Sequence, residues 1–357
     1  MVQKQKKLEF HGKVEIIGKS PYAGSGPRGI DVYTRKLSEH ISKALPHESL
    51  IVSRDHVGGI PVNLVHYTFF DPFFLTLWGK APKNAPYVVT VHDLIPLRFP
   101  EHFPSGIRGK IKYQLQKIAL KKSAAIITDS ESSRADIAKY IAYPKERIHV
   151  VPLAAGSISA TVALGKTIAK EYNLPGSYIL YVGDINWNKN VVGLINAFSK
   201  IKDNKTALVL VGKAFTGSVM TPELKAISDA IENSPKKQLI KKLGFLPTHH
   251  LSAIYKGATL YVQPSWYEGF GFPVIEALSQ GTPVLSSNQG SLPEVGGEYA
   301  HYFDPNLKND LTVKLQELID NSTLRKKYQE GGISWSKKFN WKSVAEGTLR
   351  VYEKYAR

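Results

Sequence analysis

The segment from Pro264 to Glu276, which reads PSWYEGFGFPVIE, restricts the fold of this chain more than any other. Residues 259–263 alternate like a buried strand, and residues 274–279 predict a helix, so the glycines fall on a strand-to-helix turn. In open α/β sheets such turns lie where ligands bind. Gly269 and Gly271 let the backbone approach a ligand closely, and N–H groups at a helix start suit a phosphate.

Two carboxylates, Glu268 and Glu276, frame this turn. If all the steps between them were helical, they would sit about 12 Å apart and about 80° apart around the axis. At that spacing they cannot share one proton or one metal ion, but they can hold two ends of an elongated ligand. A phosphate between two hydroxyl-rich groups fits, and a nucleotide-sugar has this layout.

The composition sets the broad class. A chain of 357 residues with 43% apolar residues is long enough for two α/β domains, each of about 170 residues. Zero cysteines exclude disulfides, thiolate catalysis and Cys-ligated metals. The basic N-terminus is followed by no uninterrupted apolar segment, and no apolar run is long enough to span a membrane. We expect a cytoplasmic protein that is soluble or peripheral on the inner face of the cytoplasmic membrane.

The formal charge of +17 favours contact with polyanions, unless it serves solubility alone. Residues 1–175 hold 25 Lys and Arg against 14 Asp and Glu, so the first half carries most of the excess. A nucleic-acid site would need aromatic platforms among the basic residues. The most basic helix contains only Tyr113, so we expect no nucleic-acid partner.

The N-terminal half opens with a predicted strand at residues 13–17, a glycine-rich loop at 18–29 and a helix from residue 30. The loop matches neither the dinucleotide fingerprint nor the Walker pattern. It is either a backbone-lined wall of a cleft or an ordinary turn. Further on, His92 follows a strand in Val91–Pro96, where a neutral imidazole can hydrogen-bond a sugar hydroxyl or a leaving phosphate. A structural role for His92 is the alternative.

Residues 104–122 predict a helix with one apolar face and many basic residues. Such a helix either lies on an anionic membrane or packs its apolar stripe on the sheet. Both hold if the stripe faces inward and only the basic residues meet lipid. Residues 71–78 are predicted as a core segment, with a lipid-facing loop as the alternative. The apolar face comprises Ile107, Ile111, Leu115 and Ile118, and the candidate acceptor or membrane contacts are Arg108, Lys110, Lys112 and Lys117.

The second half opens with a strand and a second glycine turn at Gly183, followed by a helix. Lys189 lies at the start of that helix, beside Asn190, where the helix dipole disfavours a cation. A bound diphosphate would remove this conflict, which makes Lys189 a candidate counter-charge. A solvated surface lysine is the alternative.

The order of these motifs resembles glycosyltransferase family 4, strongly over residues 178–305 and more loosely over residues 1–150. The resemblance rests on Tyr181-Val-Gly, Lys189-Asn190, Gly244-Phe-Leu, the Pro264–Glu276 segment, Gly281-Thr-Pro-Val, Leu292-Pro-Glu-Val and Phe303-Asp-Pro, with Gly29-Ile-x-x-Tyr and Val91–Pro96 similar to a mannosyltransferase-like branch. It implies an α/β GT-B fold of two doubly wound Rossmann-like domains facing a cleft. Residues 1–165 would bind the acceptor, residues 166–340 the nucleotide-sugar, and the helix at 341–357 would cross back to the first domain.

The resemblance also implies roles for single residues. Glu268 would contact the hydroxyls of the donor sugar, Glu276 would hold the ribose, and Lys189 would neutralise the diphosphate. His92 would lie at the donor sugar, which makes His92, Lys189 and Glu268 the candidate catalytic residues. The remaining donor contacts would be Gly29, Gly183, Gly269, Phe270 and Gly271.

The chain departs from the family where an Arg usually accompanies the Lys: Asp184 and Asn188 stand in those places. Diphosphate stabilisation would then rest on Lys189 with less help, or a basic residue such as Lys213 would substitute for the Arg.

We therefore expect a retaining transferase that moves a hexose, mannose or glucose first, from a UDP-, GDP- or ADP-sugar to a lipid-linked or polysaccharide acceptor. No Asp-x-Asp stands at a strand end, so we expect no metal and no cofactor. The alternatives are another GT-B chemistry, such as a sugar-nucleotide epimerase or phosphorylase, and a non-enzymatic polyanion-binding protein.

Overall fold

The computed structural model describes residues 10, 12–18, 29–45, 49–53, 61–155 and 162–357. The chain divides into two compact units, one of residues 1–153 with 339–357 and one of residues 154–338. Each unit contains a parallel sheet of six described strands with helices between them. Alternation of strands and helices produces this doubly wound architecture. The predicted α/β class is therefore confirmed.

The sheet of the first unit has the strand order β2-β1-β3-β4-β5-β6, with parallel pairing throughout its described strands. Its strands are mostly β-branched, aromatic or aliphatic, as expected of strands covered on both faces. The strands are β1 (Val14–Ile17), β2 (Leu50–Ser53), β3 (Leu64–Tyr67), β4 (Tyr87–Thr90), β5 (Ala125–Thr128) and β6 (Ile148–Val150), and the described α-helices between them are α1 (Gly29–Ile41), α2 (Ile95–Arg98), α3 (Gly106–Lys121) and α4 (Glu131–Asp136).

The sheet of the second unit has the order β12-β11-β10-β7-β8-β9. The strands are β7 (Tyr178–Val182), β8 (Ala207–Val211), β9 (Ile240–Leu243), β10 (Leu260–Gln263), β11 (Val284–Ser287) and β12 (Ala300–Phe303). The helices of this unit are α5 (Val162–Glu171), α6 (Val191–Lys200), α7 (Pro222–Glu232), α8 (Thr248–Gly257), α9 (Phe272–Ser279), α10 (Leu292–Gly296), α11 (Asp310–Asp320) and α12 (Ser322–Ser336).

The strand order of the second sheet reverses between β7 and β10. The chain runs outward from β7 through β8 to β9, and then returns to pair β10 with the other side of β7. The loops that leave β7 and β10 therefore diverge at the carboxyl edge of the sheet. This is the topological switch point at which open α/β sheets bind ligands.

The last helix, α13 (Trp341–Tyr355), belongs to the first unit. The Tyr352 hydroxyl lies 2.6 Å from Nδ1 of the buried His66, and the Trp341 ring stacks on His40 with 6.0 Å between ring centroids. The prediction that the C-terminal helix returns to the first domain is confirmed. The acceptor and donor roles assigned to the two domains remain predictions.

For two segments of the first unit the inward-facing alternative is wrong. The apolar stripe of α3 does not face inward: Ile107, Ile111 and Ile118 are 79%, 58% and 47% exposed. Residues 71–78 bury Leu77 but expose other large apolar side chains. The reason is that α3 packs through a different face, which contains the fully buried Gln116 and the small Gly109 and Ala119.

Candidate functional site

An ion pair between a partly exposed lysine and a buried glutamate occupies the switch point of the second sheet. Lys189 lies in a 3₁₀ turn after β7, and Glu268 lies in the loop after β10. The Lys189 Nζ donates to Oε1 and Oε2 of Glu268 at 2.8 and 2.9 Å. The Lys189 side chain is 22% exposed and that of Glu268 is 7% exposed. Glu268 thus compensates the cation that the sequence places at a helix start.

The Glu268 carboxylate is held by further donors. Ser265 Oγ donates to Oε1 at 2.6 Å, and Gln263 Nε2 donates to the same oxygen at 3.0 Å. Hydrogen bonds to a carboxylate are strong, and several together fix its position. Oε1 therefore accepts from three side chains, whereas among the described residues Oε2 accepts from Lys189 alone.

Two asparagines form hydrogen bonds between the loop after β7 and the loop after β10. The Asn188 carbonyl accepts from the Trp266 N–H at 2.8 Å, and the Asn188 amide donates to the Tyr267 carbonyl at 3.1 Å. The Asn190 amide donates to the Pro264 carbonyl at 2.9 Å. The rings of Trp187 and Trp266, one from each loop, stack with an interplanar angle of 13°. The distance between Lys189 and Glu268 is thus set by the backbone on both sides.

A third loop, between β11 and α10, supports Glu268 from behind. Ser291 Oγ donates to the carbonyls of Glu268 and Phe270 at 3.0 and 2.8 Å. Gly290 has φ +62°, and a Cβ at this position would lie 2.5 Å from the Glu268 carbonyl oxygen. Only glycine satisfies both requirements without displacing the Glu268 backbone.

Helix α9 begins at Phe272, two residues before the predicted start, because Gly271 and Pro273 set its first turn. Gly271 has φ +101°, and a Cβ there would lie 2.7 Å from the Leu292 side chain. Pro273 suits the first helical turn but supplies no N–H. The Val274 N–H donates to the Gly271 carbonyl at 3.0 Å, and the predicted amides of Gly269, Phe270 and Gly271 lie just before the helix.

Glu276 lies farther along α9 and is protonated more readily than an ordinary carboxyl. Burial raises its pKa to about 7, and a hydrogen bond from Tyr255 opposes that rise. The Tyr255 hydroxyl donates to Glu276 Oε2 at 3.0 Å. Near neutral pH the side chain can therefore accept hydrogen bonds as a carboxylate or donate one as an acid.

The positions at which the resemblance led us to expect an Arg hold residues with other roles. Asp184 is exposed, and Asn188 is 3% exposed and occupied by its bonds to the β10 loop. Lys213 is exposed just after β8, which pairs with β7 at the same edge. A Cβ on Gly183 would lie 2.8 Å from the Tyr181 hydroxyl, so this glycine allows the close turn after β7.

In the first unit, His92 lies just after β4 and is held by an aspartate. Its Nδ1 is 2.7 Å from Oδ2 of Asp129, which follows β5 and is 2% exposed. The Tyr33 ring contacts the imidazole edge-on, with 4.9 Å between centroids. Nε2 is buried and has no hydrogen-bond partner among the described residues. The next residue, Asp93, accepts from the Ile95 N–H at the start of α2.

The electrostatics of this pair favour a protonated imidazole. Burial of the ring lowers the pKa of His92, but the Asp129 charge and hydrogen bond, with smaller contributions from Asp93 and the Thr68 backbone, raise it overall. Burial lowers the pKa of the neighbouring His66 to about 3, so His66 stays neutral. Of the two histidines, His92 is thus the one that can carry charge near neutral pH.

The remaining predicted contacts lie elsewhere in the first unit. Gly29 is the first residue of α1, and residues 19–28 of the glycine-rich loop lie outside the described residues. Arg108 and Lys110 are exposed on α3. Lys112 lies over the Phe74 ring, with Nζ 5.7 Å from its centroid, and Lys117 donates to the Tyr140 carbonyl at 2.9 Å.

The structure thus brings together Lys189, Glu268 and the residues of the β10 loop, with Glu276 on the helix that follows. Sequence reasoning missed the residues that hold this arrangement: Gln263, Ser265 and Ser291 on Glu268, and Asp129 on His92. The Ser-Asn-Gln-Gly loop after a buried strand was a usable signal for Gly290 and Ser291, whereas Asp129 gave none. Within the described part of the chain no group of three or more His, Asp or Glu could hold a metal ion, and no helix is long and apolar enough to cross a bilayer.

Comparisons with known proteins bear on the family and on the fold. Residues 167–335 match the family described as glycosyl transferases group 1, and residues 52–154 match glycosyltransferase family 4. The O-antigen chain mannosyltransferase B of Escherichia coli is 29% identical over 74% of this chain and 70% of its own length. The serotype-specific mannosyltransferase WbdA of Escherichia coli is 28% identical over 76% of this chain, but the match spans 34% of that longer protein.

Solved structures of similar fold cover nearly the whole chain. Sucrose-phosphate synthase from Thermosynechococcus elongatus superposes with a TM-score of 0.78 over 96% of this chain and 99% of its own, at 20% identity. Anabaena Alr3699/HepE in complex with UDP-glucose superposes with a TM-score of 0.72 over 96% and 99%, at 14% identity. At these identities the likeness concerns the fold, and it confirms the GT-B fold of this chain.

Proposed function

We propose that this chain, which belongs to glycosyltransferase family 4, transfers a hexose from a nucleotide-diphosphate sugar to a glycan or lipid-linked acceptor with retention of configuration. The observation that carries the proposal is the ion pair between Lys189 and the buried Glu268 at the switch point of the second sheet. Similarity to mannosyltransferases makes mannose the first sugar to test. Glucose is the second, because a protein of similar fold is complexed with UDP-glucose.

The pair provides both signs of charge that this reaction needs. Cleavage of a sugar–diphosphate bond develops negative charge on the leaving phosphate, which a fixed cation stabilises. Lys189 supplies that cation. Glu268, held by Ser265 and Gln263, then accepts hydrogen bonds from the sugar hydroxyls in place of the lysine.

Glu276 binds the ribose in this proposal. The two ribose hydroxyls are donors, so the carboxylate form of Glu276 is the better acceptor. Its raised pKa makes this contact sensitive to pH near neutrality. His92 donates from Nε2 to the donor sugar, and Asp129 holds the ring in place for that bond.

The proposed reaction uses no metal ion, because Lys189 and the backbone amides near Gly271 neutralise the diphosphate. Activity should then persist after treatment with EDTA. Complete loss with EDTA and recovery on adding Mg²⁺ or Mn²⁺ would contradict this part of the proposal.

A donor screen tests the function. Thermal shift with UDP-, GDP- and ADP-sugars identifies the donor, and release of the nucleoside diphosphate is then followed with and without a mannan or lipid-linked acceptor. We expect acceptor-dependent release by the wild type and by the control Lys225→Ala, which removes an exposed lysine of α7. Conversion of the donor without any acceptor would instead favour an epimerase or a hydrolytic activity.

A further inference from the structure

Helix α3 presents its apolar stripe to solvent. Taking 100° per residue, Ile107, Ile111 and Ile118 lie within about 40° of one another around the axis. The buried Gly109, Gln116, Ala119 and Leu120 lie on the opposite side of the helix. The isoleucines therefore face away from the first unit, and they are the most exposed large apolar side chains of this helix. Scattered single apolar residues are normal on a surface, but an aligned row is not.

The exposed apolar surface continues onto the segment before α3. Phe74, Leu75 and Trp78 are 42%, 42% and 39% exposed. The neighbouring Phe73 side chain lies 3.7 Å from the Cβ position of Gly109 in α3, which places this segment against the helix. We call these six residues, Ile107, Ile111, Ile118, Phe74, Leu75 and Trp78, the α3 surface.

The segment is held in place by hydrogen bonds. The buried Gln116 side chain accepts from the N–H groups of Leu77 and Trp78 at 3.1 and 2.8 Å. Its amide donates to the Asp71 carbonyl at 3.0 Å and to Thr76 Oγ1 at 2.7 Å. Exposure of the aromatic residues is thus built into the fold, since a fully buried polar side chain is used to fix the backbone beneath them.

Positive charge surrounds the α3 surface. Residues 104–122 contain no Asp or Glu. The carboxylate of Asp71, the one acid in residues 70–83, accepts from the Phe73 and Phe74 N–H groups at 2.7 and 3.1 Å. The basic side chains lie on both sides of the isoleucine row, and Lys112 also covers the Phe74 ring. They are Arg108, Lys110, Lys112, Lys121 and Lys122 on or next to α3, with Lys80 and Lys83 beyond Trp78.

We propose that the α3 surface docks on an anionic lipid membrane, with its isoleucines and aromatic side chains entering the boundary between headgroups and acyl chains. An apolar row flanked by basic residues is the arrangement that binds an interface of this kind. The basic residues complement anionic headgroups. A second copy of the same surface would instead bring like charges together, which opposes association.

This inference is independent of the proposed transferase activity, because lipid binding is measured without any sugar nucleotide. It also changes the sequence-based expectation, in which only the basic residues meet lipid. The apolar side chains are now the inserting groups. Lys117 is bound to the Tyr140 carbonyl and serves the packing of α3 instead.

Vesicle flotation with the full chain tests the proposal. We expect binding to vesicles rich in phosphatidylglycerol and little binding to phosphatidylcholine alone. Ile107→Asn with Ile111→Asn should weaken binding at least tenfold, because each isoleucine removes apolar area from water when it inserts. Both side chains face solvent, so circular dichroism and the melting temperature should not change.

Matched controls distinguish insertion of the α3 surface from non-specific adsorption of exposed apolar residues to vesicles. Phe245→Asn changes an equally exposed apolar residue of the second unit, 74% exposed, and should bind like the wild type. Lys110→Gln with Lys121→Gln should weaken binding and its dependence on ionic strength. Absence of binding to anionic vesicles, or equal binding by the isoleucine variant, would overturn the proposal. Concentration-dependent dimerisation that the isoleucine variant loses would show instead that the surface joins two copies of the chain.

Discussion

The carboxyl edges of the two sheets satisfy their polar side chains in different ways. At the second sheet, Lys189 and Glu268 satisfy each other, and Ser265 and Gln263 complete the shell of Glu268. At the first sheet, Asp129 holds one side of His92, and Nε2 on the other side is buried with no hydrogen-bond partner among the described residues. To bind a ligand, Lys189 and Glu268 must give up their hydrogen bonds to each other. His92 Nε2 can instead form a new hydrogen bond without breaking one.

Because of this difference, we expect substitutions at the two edges to affect different properties. Removing one member of a buried ion pair leaves an uncompensated charge, so changes at the second edge affect folding as well as chemistry. Removing Asp129 leaves a neutral imidazole in place, so changes at the first edge affect mainly the protonation of His92.

The largest effect is expected for Lys189→Met. Transfer should fall by about a thousandfold, because a fixed cation at a leaving phosphate contributes roughly 3–4 kcal/mol to the transition state. The free energy of unfolding should also drop by about 2–3 kcal/mol, since Glu268 is left buried without its counter-charge and Lys189 is partly exposed. Urea denaturation and steady-state kinetics measure the two losses.

The double variant Lys189→Met with Glu268→Gln is the control for this comparison. Removing both charges should restore most of the lost stability and none of the lost activity. Equal stability of the single and double variants would show that the ion pair is solvated and not the closed network described above.

A smaller effect is expected for Gly290→Ala, which disturbs Glu268 without touching its charge. The added Cβ meets the Glu268 carbonyl at 2.5 Å, and alanine is strained at φ +62°. We expect transfer to fall by roughly a hundredfold and stability by about 1–3 kcal/mol. Gly176→Ala, where a Cβ meets nothing within 4 Å, should leave both unchanged. Full activity of Gly290→Ala would mean that the backbone of Glu268 need not be held in place.

Asp129→Asn tests the first edge. Without the carboxylate, the burial that lowers the pKa of His92 is opposed only by the smaller effects of Asp93 and the Thr68 backbone, so the ring loses its proton at a lower pH. We expect transfer to fall about tenfold at pH 8, the cost of roughly 1.4 kcal/mol, and the deficit to shrink as the pH is lowered. A deficit of equal size at every pH would assign Asp129 a purely structural role.

The smallest effect is expected at Glu276. Its pKa of about 7 lies above that of a free glutamate, so the proton is lost, and the better acceptor appears, as pH rises through 7. Affinity for the nucleotide-sugar should weaken by at most tenfold per pH unit below 7, as measured by calorimetry. In Glu276→Gln this dependence should vanish; a persistent dependence would assign it to another group.

The effect of Glu276 on the free energy of unfolding changes with pH in the opposite direction to its effect on ligand affinity. A raised carboxyl pKa in the folded state favours folding below the unfolded value of 4.5 and loses that contribution as pH rises through 7. Glu276→Gln should therefore be slightly more stable than the wild type above pH 7. Thermal denaturation at pH 5 and pH 8 checks the sign.

Much of the second site was predictable because its residues follow one another along short segments. The spacing of Glu268, Gly271 and Glu276 within a strand-turn-helix is local, and so is the position of Lys189 at a helix start. The alternation of strands and helices predicts a doubly wound sheet, but it does not by itself predict that β7 lies beside β10. The contact between Lys189 and Glu268 depends on this strand order. No local sequence pattern joins two residues so far apart in the chain.

The first unit was less predictable because its decisive contacts are long-range. Asp129 meets His92 only through the pairing of β4 with β5. The inward-facing alternative for α3 was wrong because its apolar row is stronger in sequence than the face that packs. Gln116 and Gly109 form that face, and neither a polar nor a small residue signals burial by periodicity.

The most direct test of the account compares ligands that differ only in the diphosphate. Calorimetry would measure the affinity of the nucleoside and of its diphosphate for the wild type, for Lys189→Met and for the control Lys225→Ala. We predict that the diphosphate adds about a hundredfold in affinity to the wild type and the control, and that Lys189→Met loses this gain while binding the nucleoside normally. An undiminished gain in Lys189→Met, or an equal loss for the nucleoside, would contradict the central claim that Lys189 leaves Glu268 to bind the phosphates of the donor.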